Sequence, residues 1–167
     1  MLAQPLTHPE LLAALAAAGH GSTVLIADGN YPHATAVGPN AKQIYLNLRP
    51  GMVSVDDILA AILSSVSVER AQVMKPETGD EPPIFGRFRS LLPNIQLEGL
   101  ERHDFYDTAR GPDLAVAVAS GDCRHNANLL LTIAALPEPT ALQQTETEVD
   151  DGRLRSNGSG LALIADR

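Results

Sequence analysis

Tryptophan is absent from this chain, and phenylalanine and tyrosine occur only three times each. The core must therefore be aliphatic, and any ring near a polar cluster is one of very few. Cysteine occurs once, at Cys123, which excludes an internal disulfide and fits a reducing compartment. Cations are scarce: 12 Lys+Arg face 20 Asp+Glu, for a formal charge of −8. The basic footprint that draws a protein to nucleic-acid phosphates is missing, so no nucleic-acid partner is expected. No apolar run reaches the ~18 residues of a membrane span, so no membrane partner is expected either. The opening MLAQPLTHPELLAALAAAGHG lacks the basic n-region of a secretory signal, and the expectation is a cytoplasmic protein. His20, His33, His103 and His125 show no ligand spacing such as H-x-x-x-H, and no C-x-x-C occurs, so no metal is expected. Neither a G-x-G-x-x-G nor a Walker pattern cradles a phosphate, and no G-x-S-x-G elbow presents a serine.

What is present suffices for one domain. Apolar residues make up 44% of 167 and charged residues 19%, a balance that sustains a core. Leu11, Leu12, Leu15 and Ala18 repeat at helical spacing, with Thr7 as N-cap, Glu10 at the capping-box position and Gly19 as the stop. Thr23–Ala27 and Leu114–Val118 are continuous β-favouring apolar runs, the pattern of strands buried on both faces. Shorter strands are expected over 43–48, 66–73 and 95–100. Helices are expected after Ser54, over 85–92 and over 104–109. Residues 128–135 fit either a strand or a short helix. The alternation predicts a layered α/β domain with helices above and below the sheet. After Pro137 the chain turns polar and rich in turn residues. The division expected is a domain over 1–136 and a C-terminal extension over 137–167.

Two neighbourhoods follow the apolar strands, where α/β sheets bind ligands. The first joins Gly19-His20-Gly21 to Asp28-Gly29-Asn30-Tyr31-Pro32-His33. A histidine titrates near neutrality and both gives and takes a proton. An aspartate at a strand end accepts hydrogen bonds from hydroxyls. The same residues fit a bare helix stop and a bare turn equally well. The second neighbourhood joins Arg102-His103-Asp104-Phe105-Tyr106 to Gly121-Asp122-Cys123-Arg124-His125-Asn126-Ala127-Asn128. Asn side chains offer donors and acceptors together, which suits hydroxyls. Arg102 fits a surface ion pair with Glu101 or Asp104 as well as it fits a ligand contact, and Tyr106 fits a packed aromatic. Arg87, Arg89 or Arg124 beside a pocket would favour an anionic substrate.

HPELLAALAAAGHGSTVLIADGNYP resembles the opening of the D-ribose pyranase / L-fucose mutarotase (RbsD/FucU) family. Arg102-His103-Asp104-Phe105-Tyr106 is similar to the Arg-x-x-Phe-Tyr of its fucose branch, and residues 121–131 are similar to its C-terminal block. The resemblance covers residues 5–135. It implies a three-layer α/β/α sandwich with a mostly parallel or mixed sheet, and an isomerase, a sugar mutarotase acting by acid–base ring opening on a fucose-like or ribose-like substrate without cofactor or metal. The alternative it leaves is a non-catalytic sugar-binding or transport-accessory protein on the same fold. By position, His20 becomes the proton donor and Tyr106 a catalytic or lining group. Asp28, Arg102, Asn126, Ala127 and Asn128 become the substrate contacts. Asn126 stands where the family carries a tyrosine, and Tyr31 and His125 are the nearby rings able to substitute. The resemblance also implies a ring-like homo-oligomer, commonly a decamer, with sites at subunit contacts.

Overall fold

The computed structural model describes residues 2–77 and 79–138. All but the first two residues of the 137–167 extension lie outside them. Helix α1 spans Pro9–Ala17. Its N-cap is His8, whose Nδ1 accepts from the Leu11 N–H at 3.2 Å, and not the expected Thr7. Pro9 is the reason: its fixed φ suits the first helical position, which places the cap at His8, directly before it. The helix closes at Ala18, and Gly21, not Gly19, holds the positive φ of 80°.

Strands β1 (Thr23–Ala27), β2 (Lys42–Tyr45), β3 (Val68–Met74), β4 (Leu97–Leu100), β5 (Leu114–Ala119) and β6 (Leu129–Ile133) form one sheet in the order β2-β5-β1-β6-β3-β4. Pairs β1–β5, β2–β5 and β3–β4 are parallel, and β6 runs antiparallel to both β1 and β3. The 120–128 connection carries no crossover helix, so β6 returns in the opposite sense. The other five strands consequently all end at the same edge of the sheet.

Helices α2 (Val55–Leu63) and α3 (Ile84–Leu91) join α1 on one face. There Leu11, Leu15, Ile58, Ile62 and Phe88 pack on Val24, Ile26, Val118 and Leu131. Ser54 caps α2 as its spacing predicts, accepting from the Asp57 N–H. The opposite face holds α4 (Arg102–Ala109), where Phe105 and Ala109 cover Leu25, Ala117 and Leu130 together with Tyr31 and Ala36 from the 28–41 connection. The architecture is thus the α/β/α sandwich with a mixed sheet. Each fully buried leucine or isoleucine contributes roughly 1.5–3 kcal/mol. β1 and β5, clothed on both sides, account for both apolar runs. Among the described residues no helix is long and apolar enough to cross a membrane.

Candidate functional site

Asp28 follows β1 at the shared strand edge and is 3% exposed. Its backbone N–H donates to Asn128 Oδ1 at 2.9 Å, and Asn128 Nδ2 donates back to Asp28 Oδ2 at 2.9 Å. The Asn30 N–H donates to Asp28 Oδ1 at 2.9 Å. A carboxylate offers about four lone-pair sites, so acceptor capacity remains for a ligand hydroxyl. Burial raises the Asp28 carboxyl above its usual 3.8, and the Asp122 charge adds to this, against the hydrogen bonds from Asn30 and Asn128.

A cleft of about 230 Å³ opens beside this pair, lined by Asp28, Asn128, Arg102, Tyr106 and Asn126, with Tyr31 and His125 at its margins. Arg102 enters from the first turn of α4, and its Nε lies 3.2 Å from Glu77 Oε1. Its ion-pair partner is therefore neither Glu101 nor Asp104. Tyr106 meets Tyr31 edge-on at 5.6 Å, and the Arg110 guanidinium sits 5.7 Å from its ring centre. The Tyr31 hydroxyl donates to the Ala36 carbonyl at 2.7 Å, which leaves Tyr106 as the phenol available to the cleft. Asn126 has φ 61°, a left-handed conformation that asparagine tolerates better than most residues. Its Nδ2 donates to the Met74 and Lys75 carbonyls at 3.3 and 3.2 Å, tying the loop to the end of β3. Ala127 is fully buried in the core, and its N–H donates to the Arg124 carbonyl.

The loop is braced from behind. Asp122, 3% exposed, accepts from the Val55 N–H at 3.0 Å and from Arg124, whose guanidinium also reaches Asp56. Burial works to raise the Asp122 carboxyl, but the bonds from Arg124 and Val55 outweigh it and hold it low. A second cavity of about 590 Å³ adjoins the first through Asn30 and His125 and extends past Cys123 to Arg49. His125 thus lies where the two cavities meet.

His20 stands apart. It precedes β1 whereas Asp28 follows it, and it lines a different cavity, of about 480 Å³, with Asn40 and Asp113. At about 3.3 Å per residue, a strand of this length separates the two by on the order of 20 Å. The structure therefore brings together Asp28, Arg102, Tyr106, Asn126 and Asn128, and leaves His20 at the opposite edge. Met74, from the end of an apolar strand, lines the cleft with no signal in the sequence. Tyr31, three residues beyond Asp28, carried one in its scarcity. Among the described residues no three His, Cys, Asp or Glu side chains are grouped to hold a metal ion.

Known proteins share this fold. A model of the RbsD / FucU transport protein family matches residues 1–136. A D-ribose pyranase of Paracidovorax citrulli is 32% identical over 126 residues, covering 75% of this chain and 92% of that protein. A D-ribose pyranase of Variovorax paradoxus is 31% identical over 132 residues, with the same shares of each. Among solved structures, the fucose mutarotase of Streptococcus pneumoniae in complex with L-fucose superposes with a TM-score of 0.70 at 27% identity, covering 82% of this chain and all (100%) of that one. RbsD of Bacillus subtilis complexed with D-ribose gives a TM-score of 0.72 at 22% identity over the same shares, a likeness of fold.

Proposed function

Because the chain belongs to the RbsD / FucU transport protein family, we propose that it is a sugar mutarotase that interconverts the anomers of a free, uncharged monosaccharide by acid–base ring opening. The observation that carries this reading is the locked Asp28–Asn128 pair facing a cleft of about 230 Å³. A rigid carboxylate and amide side by side give alternating acceptors and donors at hydroxyl spacing. The cations at and behind the cleft are already matched: Arg102 by Glu77, Lys75 by Glu101, Arg124 by Asp56 and Asp122. Arg87 and Arg89 are paired as well, with Asp56 and Glu81. A neutral sugar suits such a site better than a sugar acid or phosphate.

The chemistry needs two proton transfers. A proton reaches the ring oxygen as the C1–O5 bond breaks, and its electron pair stays on O5. The anomeric hydroxyl loses its proton as the C1 carbonyl forms. Reclosure on the other face of that carbonyl reverses both. Placed acid–base groups accelerate such steps by typically ~10²–10⁴-fold. Asp28, Asn128 and Arg102 hold the hydroxyls, Asn126 and Ala127 shape the loop against the sugar, and Tyr106 lines the site within reach of a proton. His20 supplies the proton from another copy of the chain, since its own Asp28 lies across the sheet. The activity belongs to residues 1–136, in a homo-oligomer whose sites lie at subunit contacts, in a cytoplasm where Cys123 stays reduced.

Saturation-transfer NMR across a panel of aldoses tests this. Wild type accelerates anomer exchange for at least one sugar, and His20→Ala abolishes it. Calorimetric sugar binding without any acceleration would instead identify a binding protein, and a light-scattering mass of one chain would remove the shared site.

A further inference from the structure

His20 does not stand alone on its edge of the sheet. Its Nε2 lies 3.2 Å from Oε2 of Glu69, a residue 49 positions away in the chain. We propose that Glu69 is the positioning residue of the proton donor: it holds the His20 ring with the proton on Nε2 and leaves Nδ1 as the atom that exchanges protons with the sugar. This rests on the reading of His20 as the acid.

A carboxylate only accepts hydrogen bonds, so an imidazole nitrogen bound to it must be the N–H. The neutral ring is then fixed as the Nε2–H tautomer, with a bare, basic Nδ1. When Nδ1 takes a proton, Glu69 faces the resulting imidazolium and stabilises it. A mutarotase needs this balance, because the same ring must release a proton during opening and recover it during closure.

The frame around the pair is built from backbone bonds, which separates it from an ordinary surface contact. Gly21 N–H donates to the Ile133 carbonyl at 3.0 Å, and Ile133 N–H donates to the Ser22 carbonyl at 2.9 Å. Ala134 N–H donates to the Ser67 carbonyl at 2.9 Å. The end of β6 therefore stitches the His20 turn on one side and the start of β3 on the other. The cation next to Glu69 in sequence does not compete for it, since Arg70 binds Glu98 through Nε and Nη2 at 2.8 and 2.6 Å. The other charged group of the His20 cavity is Asp113, from the turn before β5, and no hydrogen bond joins it to the ring among the described residues. The side chains of His20 and Glu69 are 59% and 44% exposed, so a covering copy would desolvate the pair and strengthen it.

The test is ¹⁵N NMR of the histidine rings in wild type, Glu69→Gln, Glu69→Asp and Asp113→Asn, with His20→Ala to assign the signal. Anomer exchange is measured on the same samples across pH. Wild-type His20 shows the Nε2–H pattern. Glu69→Gln loses the tautomer preference. It slows exchange about 3–10-fold through kcat, while sugar affinity is unchanged. Glu69→Asp recovers part of both, and Asp113→Asn keeps the wild-type tautomer. A Glu69→Gln ring with the wild-type tautomer, or with a wild-type rate, overturns the proposal. If the wild-type chain accelerates no sugar, the reading of the reaction falls, and the tautomer readout still decides whether Glu69 sets the state of His20.

Discussion

Asp28 and Asp122 sit at the same edge of the sheet, both 3% exposed, and their carboxyls are pushed in opposite directions. Asp28 is raised, first by burial. Its favourable contribution to folding is complete below the unfolded value near 3.8 and is lost as pH rises through the folded value. Asp122 is held low by Arg124 and Val55 against its burial. Its contribution is present above 3.8 and is lost as pH falls through the lower folded value. Acidification from neutral therefore protonates Asp28 first, while the Asp122–Arg124 brace persists. Sugar affinity should weaken about fivefold, the ~1 kcal/mol between a charged and a neutral acceptor, before the fold responds. Calorimetric titration beside near-ultraviolet circular dichroism checks this, and coincident midpoints would refute it. His33 carries a second residue-scale prediction. Both its ring nitrogens are buried without a partner among the described residues, and burial lowers it from 6.5 to about 4. The stability tied to its neutral form is full above 6.5 and drains as pH falls from there towards 4. His33→Phe should add about 1–3 kcal/mol near pH 5 by removing unsatisfied polar atoms and should flatten the acid slope of the melting temperature. The place of Asp28 at the cleft was legible because it closes an apolar strand, at the sheet edge where α/β folds bind ligands. His33 was not, because its burial comes from Tyr31 and Tyr45, whose rings lie 5.2 and 6.2 Å away, a contact no spacing announces.

At the level of elements, β1 and β5 could be read from the sequence because burial on both faces demands an unbroken apolar run. Helix α2 could be read because its cap is local. β6 could not be decided, since Leu129–Ile133 is short and apolar, and only its place between β1 and β3 makes it a strand. The Arg49–Val53 segment was also out of reach, because its position is set by a distant glycine. Gly51 N–H donates to the Gly121 carbonyl at 2.6 Å, and Gly121 N–H donates to the Val53 carbonyl at 3.1 Å. A Cβ on Gly121 would fall 1.7 Å from the Met52 carbonyl oxygen and 2.5 Å from that of Arg49. Both obstacles are backbone, so Gly121→Ala must displace the segment or the 121–128 loop. The cost expected is about 1–3 kcal/mol, as for overpacking, with weaker sugar binding because Asp122 and Asn126 shift together. Urea denaturation and calorimetry measure the two, and a variant with wild-type stability would show that the segment yields freely.

For the whole molecule the decisive fact is that the sheet separates the two groups that the proposed reaction would join. The Asp28–Asn128 pair lies at one end of β1 and the His20–Glu69 pair at the other, and no rearrangement short of unfolding brings them together in one chain. The sequence displayed His20 and Asp28 eight positions apart, near in number, and their separation followed only once Thr23–Ala27 formed an extended strand. The proposed homo-oligomer would resolve it, because a closed ring sets the head of one copy against the tail of the next. The prediction is complementation. His20→Ala and Asp28→Asn are each inactive alone. Unfolded together in equal amounts and refolded, they form mixed assemblies. In these, roughly one site in four pairs an intact His20 with an intact Asp28, if copies associate at random. Exchange NMR should then recover roughly a quarter of the wild-type rate, falling on dilution as the assemblies part. A mixture as inert as its components would refute a site shared between copies.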